Sequence, residues 1–146
     1  MSQVIIALSN QTGQPVISER KSAAGSAIKA GYLLQQNAAN EVLEHAVAGG
    51  SGQKLFALPN LPVGGTTSDT YAVGDSVRLG AFHSGQEVFV KLAPSAAAIV
   101  IGDEIESAGN GTMRVQAAGE VLAYAVESVD NSGDAVNEAF IKVRIA

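Results

Sequence analysis

From residue 28 onward the chain is written in short apolar-polar alternations that glycine interrupts roughly every ten residues, the rhythm of turns in a β-sandwich or small barrel. The segments "IKAGYLLQQN", "QKLFALPNLPVGG", "DSVRLGAF", "QEVFVKLA", "AIVIGDEIES", "GNGTMRVQAAG", "EVLAYAVESV" and "EAFIKVRIA" are rich in β-branched and aromatic residues, and each predicts one strand. Pro59 and Pro62 stop the second. "DSVRLGAF" and "QEVFVKLA" flank "HSG", which predicts a β-hairpin turning at Gly85. "NAANEVLEHAVAGG" reads two ways. Val42, Leu43, Ala46 and Val47 keep helical spacing after Asn37 or Asn40 and before Gly49, yet "EVLEHAVA" is also a passable edge strand. The leader carries one β-prone run, Val4 to Leu8, with no partner run close enough for a tight hairpin. Such a run either docks on its own sheet or serves another chain. The pattern predicts an all-β fold, a small β-barrel or β-sandwich, with an extended N-terminal arm over residues 1–20 and a β-domain over residues 21–146.

Two of these segments share a beginning. "YAVGDSVRLG" and "AIVIGDEIES" both run apolar, Gly, Asp, then into alternation, with Gly74 and Gly102 lying 28 residues apart. Glycine adopts the positive φ of a sharp turn and aspartate accepts its free amides, so Gly74, Asp75, Gly102 and Asp103 are expected to form structural turns. Gly-Asp-Ser also opens one group of esterase motifs. That chemistry needs a strand-to-helix turn and a histidine base, whereas Val77-Arg78-Leu79 alternates as a strand and neither His45 nor His83 sits in a partner motif. In the second copy Glu104 replaces Ser76, so the turn is what repeats. The repeat also resembles the turns of lipoyl and biotinyl carrier domains, but none of Lys54, Lys91 or Lys142 lies at the hairpin tip they require.

Composition narrows the function. The 146 residues suit one domain with a real core. Charged residues make up only 16% against 47% apolar, below the usual charged share of about 25%, so much of the surface is neutral or covered by partners. The absence of cysteine removes disulfides and thiolate chemistry. A net charge of −5 argues against a nucleic-acid partner, and residues 1–40 carry +2, which leaves −7 on the rest. The longest apolar run, Ala96 to Ile101, is far shorter than the roughly 20 residues of a membrane span, and no signal core follows a basic start. A soluble, unprocessed protein with no membrane partner is expected.

The remaining chemistry is sparse. His45 and His83 read as lone surface residues, and Asp103, Glu104 and Glu106 alternate across strand faces. "VDNSGD", residues 129–134, is a calcium-like loop that reads equally well as plain turn-formers. No phosphate loop is present, and without tryptophan the chain offers no obvious sugar-stacking groove. No catalytic residue, metal or cofactor is expected.

Taken in order, "IKAGYLLQ", "EHAVAGGSGQKLFAL", "YAVGDSVRL", "IGDEIESAGNGTMRV", "GEVLAYAVESVD" and "FIKVRIA" resemble the small capsid decoration, or cement, proteins of tailed bacteriophages, over about residues 28 to 146. The resemblance implies a compact, non-enzymatic β-domain, commonly a homotrimer. It would be made in the host cytoplasm and seated on the outer surface of the capsid head. There it would bridge major capsid protein subunits against internal DNA pressure. It favours strand over helix for "EVLEHAVA" and implies that the arm meets the lattice. Val4, Ile5, Ile6 and Leu8 are then the expected capsid contacts, with Arg20 and Lys21 near an acidic surface. The leader itself matches nothing in that family. A virion-surface or tail-associated module recognising a host glycan is the alternative.

Overall fold

The computed structural model describes residues 15–61 and 64–146. Ten strands run in chain order: β1 (Val16–Lys21), β2 (Leu33–Gln36), β3 (Val42–Glu44), β4 (Leu55–Ala57), β5 (Ser76–Ala81), β6 (Glu87–Leu92), β7 (Glu104–Ser107), β8 (Met113–Val115), β9 (Ala123–Ala125) and β10 (Ala139–Ile145). The fold is all-β, and among the described residues no helix is long and apolar enough to cross a membrane. The first five strands form an antiparallel sheet in the order β1-β5-β4-β2-β3, and the last five close into a barrel, β10-β6-β8-β7-β9.

Alternation explains both layers. Val88, Val90 and Leu92 on β6 and Ile141, Val143 and Ile145 on β10 point inward and are buried, while Glu87, Lys142 and Arg144 face out. Phe56 and Phe82 join this barrel core from the sheet side, their rings edge to face at 5.8 Å. On the sheet's other face Leu34, Val42, Ala57, Val77 and Leu79 pack with Ile28 and Tyr71 in a second core. Leu33 and Leu34, adjacent on β2, therefore serve different cores, and so do Phe56 and Ala57 on β4.

Two expectations change here, and one open reading is settled in favour of the strand that the family resemblance implied. The hairpin across "HSG" does not form: β5 pairs with β1 and β4, and β6 pairs with β10 and β8. Gly85, at φ 88°, donates its N–H to Ile145 O at 2.9 Å, so the link carries the chain out of the sheet to the start of the barrel. The ambiguous segment is a strand. Asn37 Oδ1 accepts the amides of Ala39 and Glu41, and Asn40 takes φ 63°, which makes a turn where a helix would have started and returns β3 against β2. The boundary between residues 20 and 21 falls inside β1, which pairs with β5 over six residue pairs, so residues 16–20 belong to the sheet.

Candidate functional site

The doubled Gly-Asp is one turn built twice. Asp75 donates its N–H to Ala72 O at 3.0 Å while its Oδ2 accepts the Ala72 N–H at 2.9 Å, and Asp103 does the same with Val100 at the same two distances. Gly74 and Gly102, at φ 86° and 92°, hold the third turn position, which an L side chain resists. The sequence contains a third copy that its pattern concealed: Gln86 N–H meets His83 O at 3.1 Å and Gln86 Oε1 accepts the His83 N–H at 2.8 Å. Its signal is "HSGQE", with Gln where Asp stands in the others. Thr66 and Asp69 repeat the two bonds without the glycine, at 3.3 and 2.6 Å. Ser76 follows the first turn as an exposed strand residue whose hydroxyl donates to Glu19 Oε2 at 3.4 Å.

The polar groups that the fold buries tie its layers together. His45 is buried, which corrects its reading as a surface histidine. Its Nδ1 lies 2.7 Å from Ser107 Oγ on β7 and its Nε2 2.8 Å from Ser51 O. A carbonyl only accepts, so Nε2 carries a proton, and in the neutral imidazole Ser107 donates to Nδ1. Ser107 itself is fully buried beside β8, so the pair joins the sheet to the barrel without facing solvent. Glu106, also fully buried, accepts from Arg114 at 2.6 Å and from the Gly119 N–H at 2.7 Å. Withdrawal from water pushes its pKa up, but the Arg114 guanidinium and the amides of Gly119 and Ala117 outweigh this and hold it below the usual carboxylate range.

A third cluster lies between Tyr32 and β10. Glu138 accepts from Lys29 Nζ at 2.9 Å and from the Tyr32 hydroxyl at 2.6 Å. Burial, then the bond to Glu138, pushes the Tyr32 phenol up. Buried Lys91 donates to Thr67 O at 3.0 Å, with its ammonium 5.1 Å from the Phe140 ring centre. Burial pushes its pKa down, against the pull of Glu138. Sequence pattern alone does not show that Glu106, Ser107 and Lys91 are buried and paired: Ser107 and Lys91 meet partners 62 and 24 positions away, and Glu106 meets Arg114 on the neighbouring strand and the Gly119 amide beyond it.

Apolar side chains are exposed at several places, among them β1 and the barrel wall, with Val47, Leu61, Val73 and Val136 elsewhere. On β1, Val16 and Ile17 are 58% and 45% exposed, and Arg20 and Lys21 follow them on the same strand; Lys21 Nζ lies 3.7 Å from Glu41. On the barrel wall Tyr124 stands between Glu104 of β7 and Arg144 of β10. The Gly102 N–H, bonded to Ala125 O at 2.9 Å, brings the turn carrying exposed Val100 and Ile101 beside it. Val4, Ile5, Ile6 and Leu8 lie outside the described residues. Asp130 and Asp134, in the calcium-like loop, accept from Ser132 and from Asn137 and Val136, which hold both carboxyls below their usual range. A polar cleft of about 350 Å³ is lined by Asn60, Thr66, Asp69, Thr70 and Asp75, and a cleft of mixed character, about 340 Å³, by Gln35, Gln36, Val47, Gln53 and the edge of His45.

No protein-family model matches the chain, and no curated protein does. Among solved structures, the crystal structure of the head fiber gp8.5 N base in bacteriophage phi29 resembles it over 90% of this chain and 95% of that one. The TM-score is 0.57 at 16% identity. At that identity the likeness is one of fold.

Proposed function

We propose that the protein is a non-enzymatic structural component of a bacteriophage head, seated on its outer surface as a decoration protein that bridges major capsid protein subunits. The observation that carries this reading is the fold likeness to a head fiber base, which spans nearly the whole of both chains. The ordered resemblance of six sequence segments to capsid decoration proteins supports it independently. So does the surface: interfaces deplete charge at their centres, and this chain is charge-poor, with apolar side chains exposed on β1 and beside Tyr124. A head repeats each site many times, so modest contacts per copy sum to a large stabilisation of the lattice. Self-association as a homotrimer would multiply the contacts of each copy in the same way.

The test uses heads of the encoding phage assembled without this chain. Purified protein is expected to pellet with them and to raise the temperature at which their DNA becomes accessible to nuclease. Protein that stays in the supernatant would refute the head assignment. Binding with no change in DNA release would remove the bridging role and leave attachment alone. Truncation to probe the arm must stop before Pro15, because a cut at residue 20 also removes most of β1. Deletion of residues 2–14 is expected to leave a folded domain with weakened head binding.

A further inference from the structure

Four side chains make one line across the outer wall of the barrel. Glu104 on β7, Tyr124 on β9, Arg144 on β10 and Glu87 on β6 stand opposite one another in register on four neighbouring strands. All four point outward, since Ile105, Ala123, Val143 and Val88 beside them fill the barrel. An acid, an aromatic ring and a base therefore lie in a row, spaced by the strand separation of about 4.8 Å. Arg144 gives one nitrogen to Glu87 at 3.3 Å, and its guanidinium keeps further donors for a group outside the molecule. The ion pairs of the described residues do not include Glu104. Val100 and Ile101 flank the row on the turn that the Gly102 N–H ties to Ala125 O. Ile101 is 65% exposed and Tyr124 42%. Single apolar residues are ordinary on a surface, but three side by side with charges around them mark a contact face.

We propose that two copies of the chain pair through this wall, about a two-fold axis that runs along β9 at Tyr124. The row of charges selects both the occupant and the axis. Rotation about a line along β9 carries Glu104 of each copy over Arg144 of the other, with the two Tyr124 rings at the centre. An axis across the strands would instead set Glu104 against Glu104 and Arg144 against Arg144, and like charges face to face cost affinity. The favoured axis also lays Val100 and Ile101 over β10 of the second copy. There Lys142 O accepts the N–H of Val126, next to the Ala125 that holds the turn, and the Lys142 ammonium lies 5.8 Å from the Phe89 ring centre. The apolar turn thus covers a lysine stem and a half-buried ring. Two convex walls touch over a small area, so the contact is reversible. The pairing stands on the wall alone, and its consequence rests on the head-binding reading: a joined pair meets a head through two sets of contacts and is held more firmly than one copy.

Charge reversal in the full chain tests the symmetry. Glu104→Arg leaves both positions of the row positive and Arg144→Glu leaves both negative. Each variant alone is expected to self-associate about tenfold more weakly than the parent, or worse, in sedimentation equilibrium over a concentration series. Mixed in equal amounts, the two variants oppose unlike charges at both contacts and are expected to associate within about threefold of the parent constant. A mixture that stays apart would overturn the two-fold, as would a single variant that associates as well as the parent. Both residues are exposed, and each variant is expected to unfold within a few degrees of the parent. The unaltered chain gives a second measurement that needs no substitution. Its amide NMR signals at Ile101, Glu104, Tyr124 and Arg144 are expected to move on dilution while that of Gly133 stays, and a wall that does not respond would overturn the pairing. These readings follow loss and recovery of association, so a trimer closed through another face does not disturb them. They are made on free protein and stand or fall apart from whether heads are bound. On heads, each single variant is expected to pellet less than the mixture, and single variants that pellet equally well would overturn the consequence for head binding.

Discussion

Gly119→Ala is expected to be among the most damaging single-methyl additions in the molecule. A Cβ built on Gly119 would lie far inside van der Waals contact of Gly49 Cα and O, and 2.6 Å from Glu106 Oε2. The first two are backbone atoms that no rotamer change can move. Relief requires separating two loops joined by the bond from Glu120 N–H to Gly49 O at 2.9 Å, and it pulls the Gly119 N–H away from the buried Glu106 carboxylate. Overpacking of this kind costs about 1–3 kcal/mol, and weakening a hydrogen bond to a charged group about 1.5–3, for a total of roughly 3–5 kcal/mol. For a chain of this size that lowers Tm by about 6–20 °C. The assay is reversible denaturant or thermal unfolding beside Gly133→Ala, whose added methyl meets nothing within 4 Å and is expected to stay within about 0.5 kcal/mol of the parent. A Gly119→Ala protein within about 1 kcal/mol of the parent would refute the reasoning, because the two loops would then have to be free to part.

Asp75→Ala and Asp103→Ala should each cost about 0.5–1.5 kcal/mol by denaturant melts, and the double variant should show their sum within about 0.5 kcal/mol, since one turn opens a sheet strand and the other a barrel strand; strong non-additivity would show that the two are not independent. The folded state holds Glu106 below the usual carboxylate range, so near that range the unfolded chain binds more protons. The stability it contributes is complete above the unfolded pKa and is lost as pH falls through the folded one. Glu106→Gln is expected to lower Tm at pH 7 and to flatten the acid side of the Tm–pH curve, and an unchanged acid slope would exclude this carboxylate as its source. Ile101→Ser combined with Tyr124→Ser should leave Tm within a few degrees, because both side chains already face solvent, while reducing pelleting with heads; undiminished pelleting would take the barrel wall out of the interface.

The strands were legible because alternation is local. Val88, Val90 and Leu92 announce an inward face whatever they pack against, and the glycines before β5 and β7 announce their turns. Pairing was not legible, since β6 finds β10 about fifty residues away, and a short Gly-containing link between two good strands looks the same whether it folds them together or sends them to different layers. β1 escaped notice for a different reason. "VISERK" has no buried face, so the apolar spacing that marks other strands is missing, and only its ladder with β5 makes it a strand. The buried polar residues were hidden by distance along the chain. His45 and Ser107 are 62 positions apart, and Glu106 is satisfied by a glycine amide that no motif records.

The six-pair ladder between β1 and β5 also sets how the domain bears load. A strand pulled along its own axis resists in shear, with every bond of the ladder strained together, whereas one pulled sideways peels bond by bond from its end. β1 starts at Val16 beside Ala81 and finishes at Lys21 beside Ser76, where the Ser22 N–H is bonded to Asp75 O at 2.8 Å. Tension arriving through the leader in line with β1 is therefore shared by the whole ladder and passes into β5 at the sheet's second position. A crosswise pull at Val16 would open the same joint at a fraction of the force, so the direction of the leader decides whether β1 is an anchor or a zipper.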